Sequence, residues 1–176
     1  MEEDNFKKTE GKLYRYYKNL KLISKMKRNV SEYQDKIEEV KRDIKNFKDI
    51  ENFTNLNMGI DYSRDKIQVS VDPANAVENT VIRHMQEFEK EINEYERIIF
   101  STNKEIRRIE IEQHDMEYNI SNLSEEGKRF LEWKYGENKS IGWIAIEMYG
   151  GAKTTAARRR IELVNQVSLW CDLNIK

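Results

Sequence analysis

Cysteine occurs once, at Cys171, and proline once, at Pro73, in a chain of 176 residues with seven glycines and two histidines. A lone cysteine excludes an internal disulfide and any multi-cysteine zinc site, and His84 and His114 are too few for a histidine-based metal or catalytic centre. No metal or cofactor is therefore expected. So little proline and glycine beside 36% charged residues suits long, solvated helices and argues against sandwiches and barrels. No apolar run approaches the roughly 20 residues that span a bilayer, and the opening MEEDNFKK lacks the apolar core of a secretion signal. The expectation is a soluble protein of the reducing cytoplasm with no membrane partner. Gly-rich phosphate loops, nucleophile elbows and paired carboxylates are also missing, which argues against an enzyme.

What is present is charge, and it is segregated. The net charge of −1 hides 14 Lys+Arg against 10 Asp+Glu in residues 1–50, 8 against 15 in 51–123, and 9 against 7 in 124–176. Lys12, Arg15, Lys18, Lys21, Lys25, Lys27 and Arg28 follow one another with no acid between them, and so do Lys153, Arg158, Arg159 and Arg160. Such runs attract a polyanion or an acidic partner, or form a solvated helix face. Tyr14, Tyr16 and Tyr17, interleaved with the first run, can stack on a nucleic-acid strand, but Tyr16 lies on an apolar seam and packing explains all three better.

Two apolar seams dominate the rest. Leu13, Tyr16, Leu20, Ile23, Met26, Val30, Tyr33, Ile37, Val40, Ile44 and Phe47 alternate by three and four, with one extra step of three that predicts overwinding or a kink near Met26. The second seam runs Val81, Met85, Phe88, Ile92, Tyr95, Ile99, Thr102, Ile106, Ile109, Gln113, Met116, Ile120, Leu123 without a slip. The spacing predicts a long helix over 1–52, a linker over 53–72 and a second long helix over 73–123. Within the linker, Gly59 can stop a turn, Ile67–Val69 can run extended, and Asp72–Pro73 reads as an N-cap followed by proline at the first helical position. The seams fit an antiparallel hairpin or an intermolecular coiled coil. Off-seam Ile98, Phe100, Ile111 and Tyr118 favour self-association, with a dimer the simplest form.

From 124 to 176 the pattern shortens. Ser124 caps a helix carrying Glu125 and Glu126 in its first turn, and Gly136 ends it. Ser140 caps a second helix with Ile141, Ile144, Ala145 and Met148 on one side, closed by Gly150–Gly151, and a third starts near Lys153. Three helices with a tight glycine turn before the last match the helix-turn-helix plan, with Ala145 the small residue where the last two cross. The third helix would present Lys153, Thr154, Thr155, Arg158, Arg159 and Arg160 where a recognition helix meets the major groove. Thr154, Thr155, Arg158 and Arg159 are the candidates for base contacts, and Lys153 and Arg160 for phosphates. Trp133, Trp143 and Trp170 are candidates for the core of this region, with Cys171 a small buried neighbour.

The stretch NLSEEGKRFLEWKYGENKSIGWIAIEMYGGAKTTAARRRIELVNQV resembles region 4 of sigma-70-type factors through Leu123, Glu125, Glu126, Phe130, Tyr135, Ser140, Ile144, Ala145, Thr155 and the basic run after it. The whole layout is similar to phage and prophage late-gene transcriptional regulators of the ArpU/RinA type, and YSRDKIQVSVDPANAVEN resembles the linker before their second long helix. The turn GGAKT departs from the single glycine followed by an aliphatic residue and serine, and Trp143 stands where polar residues are common. The resemblance implies sequence-specific binding of promoter DNA, with host RNA polymerase as a further partner. The expected fold is all-α, a long N-terminal helical hairpin or coiled coil followed by a C-terminal helix-turn-helix domain that binds double-stranded DNA as a homo-oligomer. The alternatives are a small-terminase-like DNA-packaging protein and a coiled-coil module that docks on RNA polymerase without touching DNA.

Overall fold

The structure, a computed structural model, describes the backbone of residues 2–57 and 73–173 and the side chains of 4–47 and 81–169. All described elements are helical: α1 (Glu2–Asn57), α2 (Pro73–Ser121), α3 (Glu125–Leu131), which runs on into a π-helical turn at Glu132–Gly136, α4 (Ile141–Tyr149) and α5 (Lys153–Leu173). The expected features at Gly59, Ile67–Val69 and Asp72, and the side chains of Trp170 and Cys171, lie outside the described residues. α1 is helical without interruption through Met26 and ends later than the expected 52, because ENFTNLN holds neither glycine nor proline to stop it. α2 starts at Pro73, where the missing N–H costs no helical hydrogen bond.

The chain forms two compact units, Met1–Met26 with Glu105–Lys176, and Lys27–Lys104. In the second, α1 and α2 run antiparallel: Tyr33 lies on Tyr95 at 5.6 Å between ring centroids, and Phe47 packs edge-on against His84 and Phe88. Val30, Ile37 and Val40 are its buried seam residues. Lys36 lies 5.1 Å from the Tyr33 ring and 5.7 Å from that of Tyr95 and caps the aromatic pair with a cation.

The first unit holds the main core. Leu13, Tyr16 and Tyr17 of α1 and Met116, Ile120 and Leu123 of α2 join Phe130, Leu131, Tyr135, Ile144, Leu163, Val164 and Val167 in one buried cluster. Full burial of each large side chain contributes about 1.5–3 kcal/mol, so the three C-terminal helices draw much of their stability from α1 and α2. Gln113 belongs to the same seam and is buried with its amide Nε2 unpaired among the described residues, a polar cost inside an apolar stripe.

Local chemistry sets the short helices. Ser124 accepts a hydrogen bond from the Gly127 N–H at 3.2 Å, and Ser140 accepts one from the Trp143 N–H at 3.1 Å. Gly127 lets α3 approach α5, since a Cβ there would lie 2.8 Å from Leu163 Cδ2. Gly150 ends α4 at φ 57, a left-handed conformation that favours glycine, and the Gly151 N–H closes on the Ala145 carbonyl at 2.8 Å. Ala145 and Ala156 are both fully buried, so small side chains line the α4–α5 packing.

Candidate nucleic-acid interface

The turn Gly150–Gly151–Ala152 delivers the chain into α5, whose first turn is fixed by the Ala156 N–H donating to the Ala152 carbonyl at 3.1 Å. Inward positions Ala156, Leu163, Val164 and Val167 are fully buried. A helix advances about 100° per residue, so the opposite face is an arc of about 60° that carries Thr154, Arg158, Ile161 and Asn165. All four are exposed, and Ile161 keeps 51% of its surface open. Thr155 flanks this arc. Lys153 is also exposed and lies along Gly142, where an added Cβ would meet its Cε at 3.4 Å.

Four of the six sequence-predicted residues, Lys153, Thr154, Thr155 and Arg158, therefore share the open N-terminal half of α5. Arg159 and Arg160 do not. Arg159 is one quarter exposed and donates to Glu162 at 3.1 Å and to Glu126 of α3 at 3.2 Å. Tyr149 donates to the other Glu126 oxygen at 2.5 Å; burial, reinforced by that carboxylate, pushes its phenol up to about 12. Burial opposes the Arg159 charge, but its carboxylate partners outweigh that and raise its pKa.

Arg160, expected to hold a phosphate, is turned to α1 instead. Its Nε and Nη2 donate to the two oxygens of Glu10 at 2.8 and 2.7 Å, and its guanidinium lies 5.4 Å from the Phe6 ring. Tyr135 donates its hydroxyl to the same carboxylate. Burial first, then the Glu10 carboxylate, raises the Tyr135 phenol far above its ordinary range. The reason for this placement is rotational: three consecutive arginines spread over about 200° of a helix and cannot all face one groove. Ile161 and Asn165, which the sequence did not single out, share this face, since the helical period of α5 places them beside Arg158. Nothing in the sequence pointed to Glu10, which is far from Arg160 along the chain.

Other aromatic candidates fall into structural places. Tyr16 and Tyr17 are buried, Tyr14 packs edge-on against Tyr135 at 4.8 Å, and Trp133 and Trp143 form a T-shaped pair at 5.0 Å beside the core. Arg129 and Lys139 cover these tryptophans at 4.6 and 4.8 Å. Among the described residues no group of three His, Cys, Asp or Glu side chains gathers as a metal site, and no helix is long and apolar enough to cross a membrane. No protein-family model, curated protein or solved structure matches the chain.

Proposed function

We propose that this chain is a sequence-specific DNA-binding transcriptional regulator of phage or prophage type, with α4, the glycine turn and α5 acting as a helix-turn-helix. The observation that carries this reading is the outward arc Thr154, Arg158, Ile161 and Asn165, presented by a helix that is buried on its other side through Ala156, Leu163, Val164 and Val167. Its chemistry suits base edges: arginine pairs with guanine O6 and N7, asparagine with adenine N6 and N7, and the threonine methyl and isoleucine contact thymine methyls. Lys153 and the amino end of α5 then hold phosphate. Off-seam Ile111 and Tyr118 on α2, 77% and 60% exposed, support a homodimer that would offer a second half-site. Promoter DNA and host RNA polymerase in the cytoplasm complete the proposal.

The test is selection of bound fragments from a random DNA pool by the purified protein, with Arg158→Ala in parallel. Enrichment of one motif is expected, and Arg158→Ala should cost about 1–3 kcal/mol at the selected site and relax one base position. Failure to enrich any motif would refute the reading and make RNA polymerase the next bait.

A further inference from the structure

The circumference of α1 in the first unit is divided three ways. One side is buried through Leu13, Tyr16 and Ile23, the last packed with Ile106 and Ile109 of α2. A second side meets the π-helical turn and α5: Glu10 holds Arg160, Tyr14 packs on Tyr135, and Lys21 donates to the Gly136 carbonyl. The remaining arc, about 80° wide, carries Arg15, Lys18, Leu22 and Lys25. Arg15, Lys18 and Lys25 are exposed, and among the described residues none of them makes an ion pair. No acidic residue interrupts positions 11–31.

We propose that this arc is a second DNA contact, a sequence-independent track for the phosphodiester backbone, separate from the residues that α5 presents. The inference rests on the DNA-binding reading above and adds to it a surface on another helix. Two observations favour a nucleic acid over an acidic protein. Leu22 is the one apolar residue on the arc, whereas the centre of a protein–protein interface is desolvated, largely apolar and poor in charge. The face is also held in fixed register with α5 by the two-pronged Glu10–Arg160 pair, so cations on α1 and bases read by α5 belong to one rigid geometry. Arg15 to Lys25 covers about 15 Å of helix axis, against one phosphate of each DNA strand per about 3.4 Å of duplex axis, which lets each of the three cations meet a phosphate of its own.

The experiment uses the full chain and a duplex carrying the selected motif, with affinity measured from low to moderate salt. The variants are Arg15→Gln/Lys18→Gln/Lys25→Gln and an equal-charge control, Arg42→Gln/Lys45→Gln/Lys90→Gln, in the second unit. Each phosphate contact adds about 0.9 to the slope of log affinity against log salt, so three lost contacts flatten it by about 2.7. Over a fourfold rise in salt the wild type should then lose about 40-fold more affinity than the triple variant. The variant should keep the wild-type motif and thermal midpoint, and the control should keep the wild-type slope. An unchanged slope in the triple variant overturns the proposal while leaving α5 as the reader, and turns attention to an acidic protein. An equal flattening in the control also overturns it, as an effect of net charge. Absence of salt-dependent DNA affinity in the wild type overturns both readings together.

Discussion

Replacing Arg160 by alanine removes a guanidinium that satisfies both oxygens of Glu10, a carboxylate whose side chain is 14% exposed. The carboxylate is left with the Tyr135 hydroxyl and little water. Breaking a fully buried pair costs about 3–5 kcal/mol, and because the Arg160 side chain is 32% exposed we expect about 2–3 kcal/mol here. Glu10→Ala leaves the more exposed partner, which can turn to solvent, and should cost about 1–2 kcal/mol. The double variant leaves no charge stranded, so its cost should fall below the sum by more than about 1 kcal/mol. Urea unfolding followed by tryptophan fluorescence suits the measurement, since Trp133 and Trp143 pack against the core of the unit that contains the pair. Additivity within about 0.5 kcal/mol, or a greater loss from Glu10→Ala than from Arg160→Ala, would refute the reasoning. A second readout separates structure from base recognition: well below its unfolding midpoint, Arg160→Ala should retain the selected motif.

Further expectations follow from single atoms. Gly127→Ala drives a Cβ toward Leu163 Cδ2 in a fully buried cluster and should destabilise by about 1–3 kcal/mol. Gly11→Ala, also in a helix but with open space around it, should stabilise by about 0.5–1 kcal/mol, and the pair can be compared in one thermal series. Gln113→Leu removes the unpaired buried amide and should raise the urea midpoint by an equivalent of about 1 kcal/mol; a drop would show that the amide has a partner. At high pH, Tyr149, Tyr17 and Tyr135 keep their protons in the fold after the unfolded chain has lost them near pH 10, because burial raises all three, Tyr149 to about 12. Folded states that bind more protons lose stability as pH rises, so stability complete below pH 10 should decline from there through about 12, and Tyr149→Phe should make the decline shallower.

The helices themselves were set by the sequence: seams at steps of three and four specify long amphipathic helices, Ser124 and Ser140 specify starts, and Gly150 specifies a stop, because these signals act within a turn or two of chain. Local signals also placed Lys153, Thr154, Thr155 and Arg158 on the open half of α5. α1 runs without interruption through Met26, because an extra step of three shifts where the seam lies and removes no backbone hydrogen bond. Tertiary structure decided the division of labour among the basic residues. Arg158, Arg159 and Arg160 are indistinguishable in a row of three, yet one faces outward, one pairs with Glu126 and Glu162, and one is held by Glu10. An arginine's role depends on which carboxylates the packed helices bring within hydrogen-bonding reach. That distance is set by contacts between residues far apart in the chain, which a local pattern does not encode.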